Sequence, residues 1–345
     1  MSALLNNYTH PGKILSFGEL LLRICPDAEG EWLSTNQLPF YVGGAELNVA
    51  TALALWDVPS AYFTVLPNNG LSAQIVNALT NKGIDTSSIF YGDGRIGLYF
   101  LTAGQDLKHD ALIYDRANSA FANLKPGVID WDKVLQGVSW FHFSAICPAI
   151  NNDIAAVCLE VLEAASKRNI TISVDLNYRS KLWKYGKSPL EIMPELIKYC
   201  DLVMGNVWAA EMMLSIPVFP DIHESGQKSI YLKEALKTSE QIMAQYPKCK
   251  AVANTFRFDA SNDITYYTAL YTNNEFHSSS VYEAKYITDK VGSGDCFMAG
   301  LIYGFYNNLE PAEIVEFATA AAFEQLFVKS DATDKTIAEI KKAMQ

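Results

Sequence analysis

Hydrophobic and polar positions follow one another along the chain in short blocks that predict alternating strands and helices. The segment Gly12–Leu21 is apolar on both sides of Ser16, as expected of a strand that is buried on both faces of a parallel sheet. In Glu46–Trp56 the apolar residues recur at helical spacing, and a turn containing Pro59 follows. Similar blocks predict further strands near 61–66, 138–143, 171–175, 202–204 and 250–255, and further helices near 70–82, 153–167, 189–199, 208–214, 231–245, 295–306, 311–327 and 335–344.

Strands that alternate with helices are typical of a parallel sheet with helices on both faces. Two stretches interrupt the alternation. Residues 31–42 are aromatic, contain proline and predict small edge strands, and residues 95–101 and 111–115 predict a hairpin. Near the C-terminal end, 265–271 and 275–281 predict a second hairpin, so we expect the sheet to end in antiparallel strands.

Composition narrows the class of protein. Half of the 345 residues are hydrophobic and no interdomain linker is evident, so we expect a single domain over 1–345 with a large core. The formal net charge is −11 and basic residues form no long run, which argues against a nucleic-acid partner. The chain has neither a long apolar run nor a secretory start, so we expect a cytoplasmic protein without a membrane partner. Six scattered cysteines without a C-x-x-C pair predict reduced core thiols.

The motif that is most informative about chemistry is DKVGSGDCFMAG at 289–300. Gly292 and Gly294 allow unusual backbone conformations, and a helix beginning at Asp295 leaves its first amides unpaired. The amides of Gly292, Ser293 and Gly294 can therefore form an anion hole for a phosphoryl group in transfer. Asp295 stands where it could take a proton from an attacking hydroxyl. The structural alternative is a loop that ends in an N-cap aspartate.

The order V-G-S-G-D-x-F-x-A-G resembles the C-terminal signature of the ribokinase-like (PfkB) carbohydrate kinases, although Lys290 stands where the family usually has threonine. Gly43 and Gly44, followed by Asn48, are similar to the family's N-terminal signature. Two glycines permit close approach of the backbone to a ligand and a hinge between lid and core, while Asn48 offers a donor and an acceptor to sugar hydroxyls. The structural alternative is a plain glycine turn before a helix.

The resemblance extends from Lys13 to about Phe327. It implies an α/β ribokinase-like fold, in which a three-layer core with a mostly parallel central sheet carries a small β-sheet lid. The lid would be formed by the inserted segments 31–42 and 95–116. ATP and Mg²⁺ are the cofactors that the resemblance implies, and the lid often packs on another subunit in the family, so a homodimer or higher homo-oligomer is expected.

Within the family, the chain looks most like the 2-keto-3-deoxygluconate kinases. By this resemblance Arg116 and Arg179 hold the substrate carboxylate, Tyr99 and Tyr114 contact its hydroxyls or carbonyl, and Ile146 belongs to the same site. A planar guanidinium matches a carboxylate in a fork geometry that a neutral sugar does not require. The likeness rests on the stretches 97–99, 114–116, 144–146, 174–179 and 182–183.

The nucleotide side departs from the family pattern. The family usually has an Asn-x-x-Glu motif, which helps to organise magnesium. In this chain Asn206 is present, but Ala209 stands in place of the glutamate, and the nearest acid, Glu211, follows two residues later. The sequence therefore assigns no metal ligands. The family's glycine-rich turn is replaced by Asn-Thr-Phe-Arg-Phe, in which Thr255 or Arg257 is expected to contact phosphate, as is Asn206.

The leading hypothesis is ATP-dependent phosphorylation of the terminal hydroxyl of 2-keto-3-deoxygluconate, with Asp295 as general base. One alternative is a fructokinase or another neutral-sugar kinase, in which Arg179 merely pairs with Asp175 or caps a helix. A second alternative is a catalytically weak sugar-binding regulatory protein, which the alanine at position 209 would explain.

Overall fold

The computed structural model describes residues 12–26, 32–33, 36–102, 112–220, 222, 226–260 and 263–344. Its strands are β1 (Lys13–Phe17), β2 (Leu21–Ile24), β3 (Phe40–Gly43), β4 (Ser60–Phe63), β5 (Val65–Leu66), β6 (Phe90–Tyr91), β7 (Gly97–Phe100), β8 (Ile113–Asp115), β9 (Val138–Ser144), β10 (Thr171–Asp175), β11 (Leu202–Gly205), β12 (Ala251–Ala260), β13 (Asp263–Thr272), β14 (Glu275–Ser278) and β15 (Tyr282–Ala284). Its helices are α1 (Ala45–Leu55), α2 (Gly70–Asn81), α3 (Trp131–Val134), α4 (Asn152–Lys167), α5 (Pro189–Ile197), α6 (Val207–Leu214), α7 (Lys228–Gln245), α8 (Ser293–Tyr306), α9 (Pro311–Gln325) and α10 (Ile337–Ala343).

The central sheet has nine strands in the order β14-β13-β12-β11-β10-β9-β1-β4, with β15 beside β13. The six strands from β12 to β4 are parallel, whereas β13, β14 and β15 are antiparallel members at one end. Both faces of the parallel part are buried. On β11, for example, Val203 packs into one hydrophobic core, while Leu202 and Met204 pack into the other. This confirms the predicted mostly parallel sheet with antiparallel strands at its end.

Helices cover both faces of this sheet. Helices α3 to α6 pack on one face, where Leu162 and Met213 belong to the core, and α1, α8, α9 and α10 pack on the other, where Phe297 and Phe317 belong to the core. The three-layer arrangement expected from the sequence is confirmed. All six cysteines are buried thiols, as predicted. Of the helices in the described ranges, none is both long and apolar enough to cross a membrane.

A second sheet of four strands, β3-β2-β7-β8, forms the lid. The predicted lid segments contribute β3, β7 and β8 to this sheet. Residues 27–31, 34–35 and 103–111, which include the predicted hairpin loop, lie outside the described residues. The prediction of one strand over 12–21 is wrong, because the chain leaves the central sheet after Phe17 and enters the lid at Leu21. The apolar run continues through the break because both strands are buried, so hydrophobicity does not mark the turn.

The carboxyl ends of β1, β9, β10 and β11 meet at one edge of the central sheet, beneath the lid. Residues that follow those strands, namely Glu19, Ile146, Arg179 and Asn206, all line cavities at this edge. In open parallel sheets this is the edge at which ligands bind. The topology therefore places the candidate site between the lid and the carboxyl ends of the strands.

Candidate active site

The glycine motif forms the N-terminus of α8. The helix begins at Ser293, two residues before the predicted start, so Asp295 lies inside the first turn and is not the N-cap. Gly292 occupies the N-cap position with φ of 81°, and a Cβ atom there would lie 1.9 Å from the carbonyl oxygen of Asp331. Only glycine fits this position. The first amides of a helix have no hydrogen-bond partner within the helix. Because Gly292, Ser293 and Gly294 line a cavity, their amides form a site there that is suited to anions.

Asp295 lies where two cavities meet, since it lines both of them. Its side chain is buried, and Asn48 donates from Nδ2 to its Oδ2 over 2.7 Å. Burial raises the pKa of Asp295 to about 8; the hydrogen bond from Asn48 opposes this rise and the negative charge of Asp175 adds to it. A carboxylate with a pKa near neutral pH is suited to accept a proton from a hydroxyl group.

The first cavity, which we call the sugar-side cavity, lies between the lid and α1. It brings together seven of the eight predicted substrate residues: Gly44, Asn48, Tyr99, Tyr114, Arg116, Ile146 and Arg179. Gly43 is not among the residues that line this cavity. A Cβ atom at this position would lie 2.2 Å from the Asp331 carboxylate, so close packing requires glycine here. The Tyr99 hydroxyl donates to the same carboxylate, which leaves its ring as the surface that lines the cavity.

Asn48 has two roles in this geometry. Its amide nitrogen holds Asp295, a contact that the sequence did not indicate, because the two residues are 247 positions apart. Its Oδ1 is buried without a hydrogen-bond partner among the described residues, which leaves an acceptor for a ligand hydroxyl.

Glu19 is a site residue that the sequence analysis missed. It lies two residues after the end of β1, and its Oε2 lies 2.6 Å from Nη2 and 2.7 Å from Nε of Arg116. An acidic residue at the carboxyl end of a buried strand is the signal that could have found it. Because Glu19 already balances the charge of Arg116, that arginine is not the main source of positive charge for a ligand.

Arg179 supplies the positive charge that remains in the sugar-side cavity. Its Nη1 donates to the carbonyl of its neighbour Tyr178 over 3.2 Å, and its Nε has no hydrogen-bond partner in the described part of the chain. The predicted alternative of an ion pair with Asp175 is not formed: Oδ1 of Asp175 accepts from the backbone amide of Asn177 over 3.0 Å. Arg179 is therefore positioned to bind an anionic group next to Asp295.

The second cavity, which we call the phosphate-side cavity, contains the anion hole together with Asn206, Thr255 and Arg257, the three predicted cofactor residues. The Asn206 side chain caps α6 by accepting from the amide of Ala209 over 2.8 Å. Thr255 and Arg257 lie within β12, which continues to Ala260 and pairs with β13 along its length. The predicted end of this strand at 255 is therefore wrong, because the antiparallel partner extends it.

Glu211 does not take the place of the missing acid. Its Oε1 accepts from the amide of Val218 over 3.3 Å, and it is not among the residues that line the phosphate-side cavity. The acidic side chains on that cavity's wall are Asp175 and Asp295. Burial raises the pKa of Asp175 to about 7, against the hydrogen bond from Asn177 and the charge of Arg179.

The position of Asp295 defines what the site can do. A carboxylate able to accept a proton stands between a cavity with groups for hydroxyl and carboxylate ligands and a cavity with amides and cations for phosphate. This arrangement suits the transfer of a phosphoryl group to an alcohol, so the fold and the site are those of a small-molecule kinase. The chain belongs to the pfkB family of carbohydrate kinases, whose family model matches residues 12–337.

Similar proteins support this assignment along nearly the whole chain. The crystal structure of a 2-dehydro-3-deoxygluconokinase from Thermotoga maritima is similar with a TM-score of 0.86 at 32% identity, covering 96% of this chain and 98% of that one. A 2-dehydro-3-deoxygalactonokinase of Haloferax volcanii is 27% identical over 89% of this chain and 87% of its own. Fructokinase-2 of Solanum lycopersicum is 24% identical over 86% of this chain and 83% of its own.

The two carboxylates predict how activity depends on pH. Because the negative charge of Asp175 raises the pKa of Asp295, Asp175→Asn should move the acid limb of kcat/KM to lower pH. The measurement is kcat/KM between about pH 6 and pH 9, where the profile of the free enzyme reports the two groups as a coupled pair. The position of the limb is diagnostic even where the substitution lowers the maximum. An acid limb that stays in place or moves to higher pH contradicts the coupling.

Proposed function

We propose that the protein transfers the γ-phosphoryl group of ATP to the terminal hydroxyl of 2-keto-3-deoxygluconate. The observation that carries this proposal is the position of Arg179 in the sugar-side cavity, next to Asp295, where its guanidinium forms no ion pair with any of the described residues. A guanidinium in this position favours a sugar acid over a neutral sugar. The similarity to a 2-dehydro-3-deoxygluconokinase and a 2-dehydro-3-deoxygalactonokinase supports the same substrate class. The cytoplasmic location expected from the sequence stays a prediction.

In this mechanism, Asp295 accepts the proton of the terminal hydroxyl as that oxygen attacks the phosphoryl group. Asn48 holds the carboxylate in place, and the amides of Gly292, Ser293 and Gly294 stabilise the charge of the group in transfer. The lid excludes water, so that the nucleotide is not hydrolysed.

ATP and Mg²⁺ belong to this proposal as cofactors. Solved structures of the same fold include a fructokinase from Xylella fastidiosa with bound ATP. Mg²⁺ binds through phosphates, waters and one or two carboxylates rather than through a protein cage. The oxygen donors on the wall of the phosphate-side cavity fit that pattern, and Asp175 would hold the ion, which supplies charge neutralisation when bound.

Asp295→Asn tests the base. We expect nearly complete loss of sugar-dependent ADP release with sugar binding retained, because the amide cannot accept the proton. The same substitution should stabilise the folded protein at high pH. The pKa of Asp295 is about 8 in the folded protein, above the usual 3.8, so the free energy of unfolding falls as pH rises between these two values. Thermal unfolding at about pH 9 should therefore show a variant with a higher Tm than the wild type. Near-normal kcat would exclude Asp295 as the base.

Arg179→Ala tests the substrate class. KM for 2-keto-3-deoxygluconate should rise about 100-fold, as expected when a charge-assisted hydrogen bond is lost, with little change for a neutral sugar such as fructose. Arg179→Lys keeps the positive charge but loses the planar guanidinium, so its KM for 2-keto-3-deoxygluconate should lie between the values for the wild type and Arg179→Ala. The measurement is ADP release over a panel of sugar acids and neutral sugars. A wild-type preference for fructose favours the fructokinase alternative, and absence of any sugar-dependent ADP release favours the regulatory alternative.

We also propose that the protein is a homodimer or higher homo-oligomer through its lid. Ile24, Phe40, Phe100 and Ile113 are register partners on one face of the lid sheet. Phe40 is 51% exposed and Ile113 is 55% exposed, so this face presents apolar surface to solvent. A second copy of the lid is the partner that the family resemblance implies, and it would cover this surface.

The double variant Phe40→Glu, Ile113→Glu should be monomeric, because charges on both strands cannot be buried between two lids. The measurement is the molar mass in solution by light scattering. Leu190→Glu on α5 is the control, since Leu190 is comparably exposed at 44% but lies away from the lid. A monomeric wild type, or a double variant that keeps the wild-type mass, excludes the lid interface.

A further inference from the structure

Of the three cations that line the phosphate-side cavity, Lys290 and Arg257 share one carboxylate. Nζ of Lys290 lies 2.7 Å from Oδ2 of Asp259, and Nε of Arg257 lies 3.4 Å from Oδ1 of the same residue. Lys290 and Arg257 line the cavity, whereas Asp259 does not belong to its wall. The two cations thus reach the cavity from different parts of the chain, β12 and the loop that leads into the anion hole.

The part of the cavity wall that is formed by the start of α6 carries no charged side chain. Where α6 begins, Trp208 and Ala209 line it, so that stretch contributes no acid for a metal ion. A nucleoside triphosphate brings several negative charges, and phosphoryl transfer depends on their neutralisation. The positive groups next to the anion hole are therefore the ones that must supply a larger part of it.

We propose that Lys290 and Arg257 bind the phosphates of the nucleotide, and that Asp259 is their counter-ion only while the nucleotide is absent. This inference rests on the proposed function and assigns residues to its nucleotide side. Lys290 lies two residues before Gly292, so the ammonium group and the anion-hole amides approach the ligand from one segment. On binding, phosphate oxygens replace the Asp259 carboxylate, which is 35% exposed and can return to water.

This exchange predicts effects of opposite sign. Lys290→Ala and Lys290→Met, the second of which keeps the apolar stem, should both weaken nucleotide binding about tenfold or more, because a charge-assisted hydrogen bond is lost. Asp259→Asn should instead tighten binding several-fold, because the cations no longer exchange one anion for another. If the cluster only held the loop in shape, Asp259→Asn would weaken binding.

The experiment is calorimetric titration with ADP and with a non-hydrolysable ATP analogue, without sugar, at low and high salt and with and without Mg²⁺. Asp85→Asn is the matched control: Lys13–Asp85 is also 2.7 Å apart, with side-chain exposures of 24% and 38% against 20% and 35% for Lys290–Asp259. Lys13 begins β1, so this pair lies at the opposite edge of the sheet, and its loss should leave Kd unchanged. Thermal unfolding checks that each variant is folded.

Tighter binding by Asp259→Asn together with weaker binding by both Lys290 variants supports the proposal. An unchanged Kd in the Lys290 variants, or a raised Kd in Asp259→Asn, overturns it. The proposed function fails separately: if the wild type binds nucleotide as expected but releases no ADP with any sugar acid, the substrate assignment is wrong while the phosphate-binding residues stand. A wild type that binds no nucleotide overturns both.

Discussion

A buried ion cluster around Arg23 joins the lid to Asp289, in the segment that leads into the anion hole, and to Asp331. The guanidinium is fully buried on β2, with Nη1 2.7 Å from Oδ2 of Asp289 and Nε 2.8 Å from Oδ1 of Asp331. The ring of Tyr41 on β3 lies 4.8 Å from it, and Tyr99 on β7 donates to Asp331. Burial alone would lower the pKa of Arg23, but the two carboxylates outweigh burial and raise it. Removing one partner would leave a buried charge uncompensated, at a cost of about 3 kcal/mol or more.

The geometry of the anion hole depends on this cluster, although Arg23, Asp289 and Asp331 do not line the phosphate-side cavity. Asp289 begins the segment that leads into the anion hole, and the carbonyl of Asp331 packs against Gly292 so closely that no side chain fits there. Gln325 adds hydrogen bonds from Nε2 to the carbonyls of Val291 and Ser330. The orientation of the anion-hole amides is thus set by the same contacts that hold the lid sheet over the site.

Charge has to be considered locally in this protein. A formal net charge of −11 argues against binding to polyanions in general, yet the phosphate-side cavity is lined by Arg179, Arg257 and Lys290 next to a helix N-terminus. Close charges and fixed amides dominate the potential inside a cavity, because distant surface charges are screened by solvent and salt. The net charge therefore does not reveal the sign of the ligand.

The hydrophobic pattern of the sequence alone determined the alternation of strands and helices and the two stretches that interrupt it, because periodicity is a local property. Short motifs predicted the anion hole and Asp295, because glycine requirements are also local. Tertiary structure decided the rest. Only folding brings Asn48 to Asp295, pairs Arg116 with Glu19 and leaves Nε of Arg179 without a hydrogen-bond partner among the described residues. Folding alone also divides the apolar run 12–21 between two sheets. These outcomes depend on which distant groups meet in a buried space where each charge needs a partner, and no local pattern records that.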